Sequence, residues 1–169
     1  MYNSSFPILQ NAALLLGLAV LCDTVSPLKA KFHRFVVGLI VGLIGVLVML
    51  VPWQYGPGIV FDARSVVLAI SGLYLGPLPT IIAMVITIVM RISLGGEAML
   101  MGVVVIITSG AIGLAWRRFR NRQLKDMTWS ELYAMGLLIH ALMLLTAVVT
   151  LESRTWMPML TEITVPVML

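Results

Sequence analysis

PGIVFDARSVVLAISGLYLGPLPTIIAMVITIVMRISLGG, residues 57–96, is the stretch on which the fold turns. It holds two apolar runs, Ile59 to Leu75 and Thr80 to Leu94, on either side of the turn Gly76-Pro77-Leu78-Pro79. Each run approaches the ~20 apolar residues that a bilayer-crossing helix requires. Only Asp62, Arg64 and Arg91 interrupt them with charge. The same pattern extends in both directions. Further apolar segments run from Phe6 to Cys22, Phe35 to Val51, Ala98 to Trp116, Leu132 to Leu151 and Met157 to the end, with charged or Pro/Gly-rich joints between them.

Composition points the same way. Apolar residues are 60% of the 169-residue chain and charged residues 11%, and mean hydropathy is +1.06. A soluble domain has about 45–50% apolar and about 25% charged residues, so water is not the main solvent of this chain. At ~20 residues per crossing, the length suffices for roughly six to eight helices with short loops and no separate soluble domain. The expected fold is therefore all-α, a polytopic transmembrane bundle of about six to seven helices. Residues 1–169 form one domain, and the apolar run that reaches Leu169 suggests the last helix of a longer protein.

The net charge of +4 is concentrated in two joints, Lys29, Lys31 and Arg34 after the first segment and Arg117, Arg118, Arg120, Arg122 and Lys125 after the fifth. Cationic joints beside apolar segments suit cytoplasmic loops rather than a nucleic-acid surface. If both joints are cytoplasmic, odd segments run inward and the N-terminus lies outside, which requires the third and fourth segments to be two real crossings. Trp53, Tyr55 and Trp156 then fall at the outer interface, and Trp116 and Trp129 at the inner one. The N-terminal MYNSSFPILQ has no Lys or Arg, so the first segment reads as a retained helix rather than a signal peptide. The single cysteine, Cys22, cannot form an internal disulfide and reads as a small packed side chain.

The informative residues are charges in costly places. Arg64 lies about six residues into a third segment that starts near Gly58, roughly 9 Å at 1.5 Å per residue. Arg91 lies about a turn inside the outer end of the fourth segment. A lipid-facing arginine at helix centre costs about 2.5–3.5 kcal/mol on insertion scales, so both are expected at similar depth, facing a cavity. Internal pairs, Asp62 with Arg91 or Glu97 with Arg64, or snorkelling to the headgroups, are the alternative. Two planar forks of donors with one acid nearby leave surplus positive charge suited to a carboxylate or phosphate. Ser65 and Ser93 could add hydroxyl donors, and Gly95 and Gly96 close backbone approach at the mouth. Asn11, a polar interruption of the first segment, either lines the same cavity or bonds a neighbouring helix.

Other polar residues read as structural. His140, mid-helix, suits a helix–helix hydrogen bond, and His33, in a loop, gives it no metal-ligating partner. Thr108 and Ser109 suit bonds to their own helix. The Gly38/Gly42 and Gly72/Gly76 spacings permit close helix approach. No nucleophile–base pair, phosphate loop, carboxylate pair or metal cluster is present in the sequence, so neither an enzyme nor a resident cofactor is expected.

Asn11 before an apolar run, D-x-R at Asp62–Arg64, the G-P-x-P turn at Gly76–Pro79 and R-x-x-x-GG at Arg91–Gly96 together resemble the LytS-YhcK type membrane sensor region, the input domain of some histidine kinases and GGDEF proteins. The resemblance covers most of the chain and is strongest from Pro57 to Gly113. It implies a multi-pass receptor in the bacterial inner membrane that binds a small extracytoplasmic ligand, with Arg64 and Arg91 lining the cavity. The receptor would signal to a cytoplasmic kinase or GGDEF-type domain after residue 169 and leaves room for a homodimer through that output domain. It also suggests a distant likeness to substrate-binding subunits of vitamin transporters, so a transport component is the alternative function. Residues 103–109, VVVIITS, lack other polar groups that some members carry at equivalent depth.

Overall fold

The computed structural model describes residues 12–20, 31–50, 53–56, 59–61, 63–96, 98–120 and 127–150. These residues form six helices and one short hairpin. The helices are α1 (12–20), α2 (Lys31–Leu50), α3 (Arg64–Ile70, continued as a π-helical stretch Ser71–Leu75), α4 (Pro77–Leu94), α5 (Met99–Phe119) and α6 (Trp129–Thr150). The strands β1 (Trp53–Gly56) and β2 (Ile59–Phe61) pair antiparallel, Trp53 opposite Phe61 and Gln54 opposite Val60. The segment expected from Met157 onward and the first residues of the chain lie outside the described set, as does Cys22.

Four stretches are long and apolar enough to cross a membrane, namely Phe32–Leu50, Pro77–Leu94, Met99–Phe119 and Trp129–Val149. Their outward faces are aliphatic: Val85, Val89 and Val149 expose 55%, 60% and 76% of their surface. A water-soluble bundle would place charged residues at these positions.

The third expected crossing is corrected by the structure. The run Ile59 to Leu75 is not one helix: its first three residues are β2, and the helix starts only at Arg64. The seven residues of α3 and the five of its π-helical extension rise about 18 Å, short of the ~30 Å hydrocarbon core. β-branched and aromatic residues at 59–61 favour a strand as readily as a helix. His33 is likewise corrected: it lies in the first turn of α2, edge-to-face with Phe32.

Glycine decides how the helices pair. Along α2, Gly38, Gly42 and Gly45 face α4: a Cβ on Gly38 would lie 2.9 Å from Ile82 Cβ and 3.0 Å from Pro79 Cα, and one on Gly42 3.3 Å from Ala83 Cα. The offset is the same at both glycines, so α2 and α4 run in the same direction. The expected close approach through Gly38 and Gly42 is realised here. Gly72 serves the α3–α5 contact, where a Cβ would lie 2.8 Å from Leu114 N and 2.9 Å from the Gly110 carbonyl. A Cβ on Gly113 would strike the Ala69 carbonyl. Gly76 plays a different part from the one its spacing suggested. It breaks the chain between the π-helical stretch and α4 at φ 88°, ψ −170°, a region essentially confined to glycine. Pro77 then supplies the first residue of α4.

Beneath this framework lies one main apolar core, in which Leu18 of α1, Val37 and Val41 of α2, Val67 and Leu68 of α3, Ala83 of α4 and Ile106 of α5 are buried. A second cluster docks α6, through Met135 and Ile139, onto Ala69 and Leu73.

Candidate functional site

Arg64 is the first residue of α3, not six residues inside a helix, and this changes its depth. Ala69 meets Gly113, and the carbonyls of Leu73 and Tyr74 meet Arg117, 44 and 43 residues further along the chain. With α3 and α5 running in the same direction at this constant offset, Arg64 comes level with Thr108, about 13 Å below the start of α5 at 1.5 Å per residue. Arg91 lies in the last turn of α4, and its side chain lies across Gly102 of α5, about 9 Å nearer that start. The two arginines are therefore staggered rather than at equal depth.

By helical geometry both nevertheless lie near the sides by which α3 and α4 meet, with the Arg91 side chain itself packed on Gly102 of α5. Ser71 Oγ and Thr80 Oγ1 meet at 3.0 Å, fully buried, and mark where α3 touches α4. Arg64 precedes Ser71 by seven residues and Arg91 follows Thr80 by eleven. At 100° per residue each arginine falls within about 20° of the side marked by that contact. Measured from it, Arg91 stands about 6 Å beyond Arg64 along the bundle. Cα–Cβ bonds lean toward the N-terminus of their own helix, and α3 and α4 are antiparallel, so the two side chains lean toward each other along the axis. Both residues are half-buried.

The remaining expected site residues separate. Ser65 is 7% exposed and shares the stripe of Ala69 and Gly72 that faces α5, so it flanks the arginines from the side. Ser93 is exposed and its hydroxyl donates to the Val89 carbonyl at 2.9 Å; two residues from Arg91, it faces away from the side by which α4 meets α3. Gly95 and Gly96 form the α4–α5 turn with φ 63° and 87°, and a Cβ on either would meet nothing within 4 Å. Their requirement for glycine is conformational. Asn11, Asp62 and Glu97 lie outside the described residues.

Thr108 and Ser109 bond to the Val104 and Val105 carbonyls at 2.8 and 2.7 Å, as expected of helix-bound hydroxyls. His140 differs: among the described residues, Nδ1 pairs with the Gly136 carbonyl of its own helix at 2.8 Å, rather than with a neighbouring helix.

Two features carry no direct sequence signal. Arg117 reads as one loop charge among several. In the structure its Nη1 donates to the Leu73 carbonyl at 2.9 Å and the Tyr74 carbonyl at 2.7 Å, closing the C-terminal end of the π-helical stretch. A helix end presents unpaired carbonyls and partial negative charge, which a guanidinium satisfies. The apolar run ending at Gly76 signals such an end, but not which residue reaches it. Gly102 is the other, its missing Cβ making room for Arg91.

The family model described as 5TMR of 5TMR-LYT matches residues 23–169. No curated protein and no solved structure matches the chain. The match takes in every described helix from α2 onward, including all four apolar spans. The chain is thus a multi-pass membrane protein and belongs to the 5TMR-LYT family, the multi-transmembrane sensor domains of LytS-type histidine kinases.

Proposed function

We propose that this sensor domain binds a small extracytoplasmic anion, a carboxylate in the first instance, between Arg64 and Arg91, and passes the change in helix packing to a cytoplasmic kinase or GGDEF-type output domain. The observation that supports the reading is that two half-buried arginines lie near the sides by which α3 and α4 meet. In this reading the N-terminus is outside, the protein resides in the bacterial inner membrane, and the end of the bundle bearing Arg64 and Arg91 opens outward. The cationic joints then lie in the cytoplasm.

The packing supports a route for the signal. Arg64 belongs to α3, which is locked to α5 through backbone contact at Gly72 and Gly113. Arg91 belongs to α4, which is locked to α2 at Gly38 and Gly42. An anion held by both guanidinium groups bridges two helix pairs and binds best when the pairs bring the arginines together. Such differential affinity is what shifts a conformational equilibrium. The Arg117 contact carries displacement of α3 to the cytoplasmic end of α5.

Calorimetric and thermal-shift screening of the purified protein with small carboxylates and phosphates tests the site. Wild type binds at least one of them, and Arg64→Ala and Arg91→Ala each lose it. Absence of any binder, or undiminished binding by both variants, would sink the proposal. Uptake of a labelled binder into proteoliposomes would transfer the same cavity to a transport role.

A further inference from the structure

At the end of the bundle opposite Arg64 and Arg91, α5 and α6 border a crevice of about 370 Å³ lined by Ile112, Ala115, Trp116, Phe119, Arg120 and Leu138. The volume lies within the ~300–1,000 Å³ range of small-molecule sites. Five of the six side chains are apolar, and the cavity opens away from the core: Phe119 is 81% and Leu138 44% exposed. Charge is confined to one end. There the Arg120 side chain, 6% exposed, places Nε and Nη2 at 3.0 and 2.8 Å from Glu131 Oε2, while Arg118, outside the lining itself, is exposed one turn beyond Ala115 in the last turn of α5. Among the described residues at this end, Arg117, Arg118 and Arg120 stand against Glu131 alone, a net charge of +2. With Arg120 paired to Glu131, the surplus positive charge is carried by Arg117 and Arg118.

An occupant must match both halves, with an apolar body along Ile112, Ala115 and Trp116 and an anionic head at Arg118 and Arg120. The crevice faces lipid and its charged end coincides with the ends of two membrane-crossing helices, where the headgroups lie and where Trp116 and Trp129 sit as interfacial anchors. We propose that this crevice is a binding site for one anionic phospholipid of the adjoining leaflet, its acyl chain between α5 and α6 and its phosphate at Arg118 and Arg120. Guanidinium groups grip phosphate oxygens through paired donors, and basic pockets between membrane helices select anionic headgroups in this way. A single bound lipid would brace the α5–α6 junction on the outer side of the Arg120–Glu131 pair. The inference rests on the membrane-spanning fold alone and stands whether or not Arg64 and Arg91 bind a ligand.

Trp116 reports occupancy directly. The chain is reconstituted in phosphatidylcholine nanodiscs containing increasing fractions of phosphatidylglycerol or phosphatidylcholine with brominated acyl chains. The Trp116 signal is taken as the difference between wild type and Trp116→Phe. Half-quenching is expected at about fivefold lower mole fraction of the brominated phosphatidylglycerol, on the scale of one basic contact to an anionic lipid. The double variant Arg118→Gln/Arg120→Gln brings the two lipids level, and Ala115→Phe, which fills the crevice but keeps its charge, removes the preference as well. Circular dichroism and size-exclusion profiles matching wild type establish that both variants are folded; should the double variant fail to fold, Ala115→Phe alone decides. Equal quenching of wild type by the two lipids overturns the proposal. So does no quenching, the result if a protein segment or a second copy fills the crevice, or a preference that survives Ala115→Phe. Loss of the preference on adding inorganic phosphate reassigns the site to a free anion and overturns the lipid assignment.

Discussion

Arg117 offers the sharpest test of how the bundle is held. Its guanidinium donates two hydrogen bonds, at 2.9 and 2.7 Å, to the carbonyls of Leu73 and Tyr74. Hydrogen bonds to charged groups contribute about 1.5–3 kcal/mol each, an upper sum of about 3–6 kcal/mol. Arg117 as a whole is exposed, and water at the helix end can replace part of what is lost, so roughly 2–3 kcal/mol is expected for Arg117→Leu. Both bonds come from Nη1, so Arg117→Lys keeps the charge and enough donors but places them on a shorter, flexible stem; its loss is expected near 1 kcal/mol. Equilibrium unfolding in mixed micelles, with SDS as denaturant, measures both. A loss for Arg117→Leu within about 0.5 kcal/mol of wild type, the range of ordinary surface substitutions, would refute the reasoning. It would mean that the π-helical end is sustained by Gly76, Ser71 and Thr80 without the guanidinium. Equal losses for leucine and lysine would point instead to the shape of the side chain.

Other substitutions probe the remaining joints. Gly113→Ala drives a methyl group against the Ala69 backbone, which cannot rotate away; a loss of about 1–3 kcal/mol is expected in the same assay, together with weaker anion binding because α3 carries Arg64. Gly42→Leu opposes Ile86 and Ala83 and should separate α2 from α4, seen as loss of cross-linking between cysteines placed on the two helices. Glu131→Gln removes the carboxylate from Arg120, whose side chain is 6% exposed against 32% for Glu131; the amide oxygen keeps one acceptor, and a cost of about 1–3 kcal/mol is expected. Spin labels on the exposed positions Leu43, Val85 and Ile107 should show a Val85–Ile107 distance that changes with bound anion and a Leu43–Val85 distance that does not. The reverse outcome would break the proposed division into helix pairs.

Much of the bundle was legible because lipid imposes a single demand, an unbroken apolar run. Phe35 to Val51, Thr80 to Leu94, Ala98 to Trp116 and Leu132 to Leu151 return as α2, α4, α5 and α6, with ends differing by up to four residues. Hydropathy failed at Ile59 to Leu75, since it measures burial in apolar surroundings and is blind to whether Ile59, Val60 and Phe61 are strand or helix. The depth assigned to Arg64 inherited that error. Gly38 and Gly42 announced a close contact, but only the three-dimensional pairing identifies α4 as the partner. Arg117 was hidden for a different reason: its charge satisfies the topological rule for basic loops so well that nothing in the sequence calls for a second role. The pairing of Ser71 with Thr80 was equally silent, as serine and threonine in membrane helices ordinarily bond within their own turn.

The contacts between helices are of two physical kinds, and their distribution suggests where the domain can move. At Gly72 and Gly113 the opposing atoms are backbone, and at Gly38 and Gly42 they are backbone together with β-branched Ile82 and Ile86. Neither surface yields without moving a whole helix. The α4–α5 boundary differs. There Gly110 faces the thioether of Met84, and Gly102 faces the Arg91 side chain, both long and able to change rotamer at little cost. Packed surfaces that interdigitate rigidly move together, whereas those filled by flexible side chains admit small shear displacements. The soft boundary thus runs between the α2–α4 and α3–α5 pairs, the two pairs that carry Arg91 and Arg64. It is also crossed by the Ser71–Thr80 hydrogen bond, a polar contact that restores one preferred register after displacement. An anion between the arginines would act across this boundary, where the cost of motion is lowest.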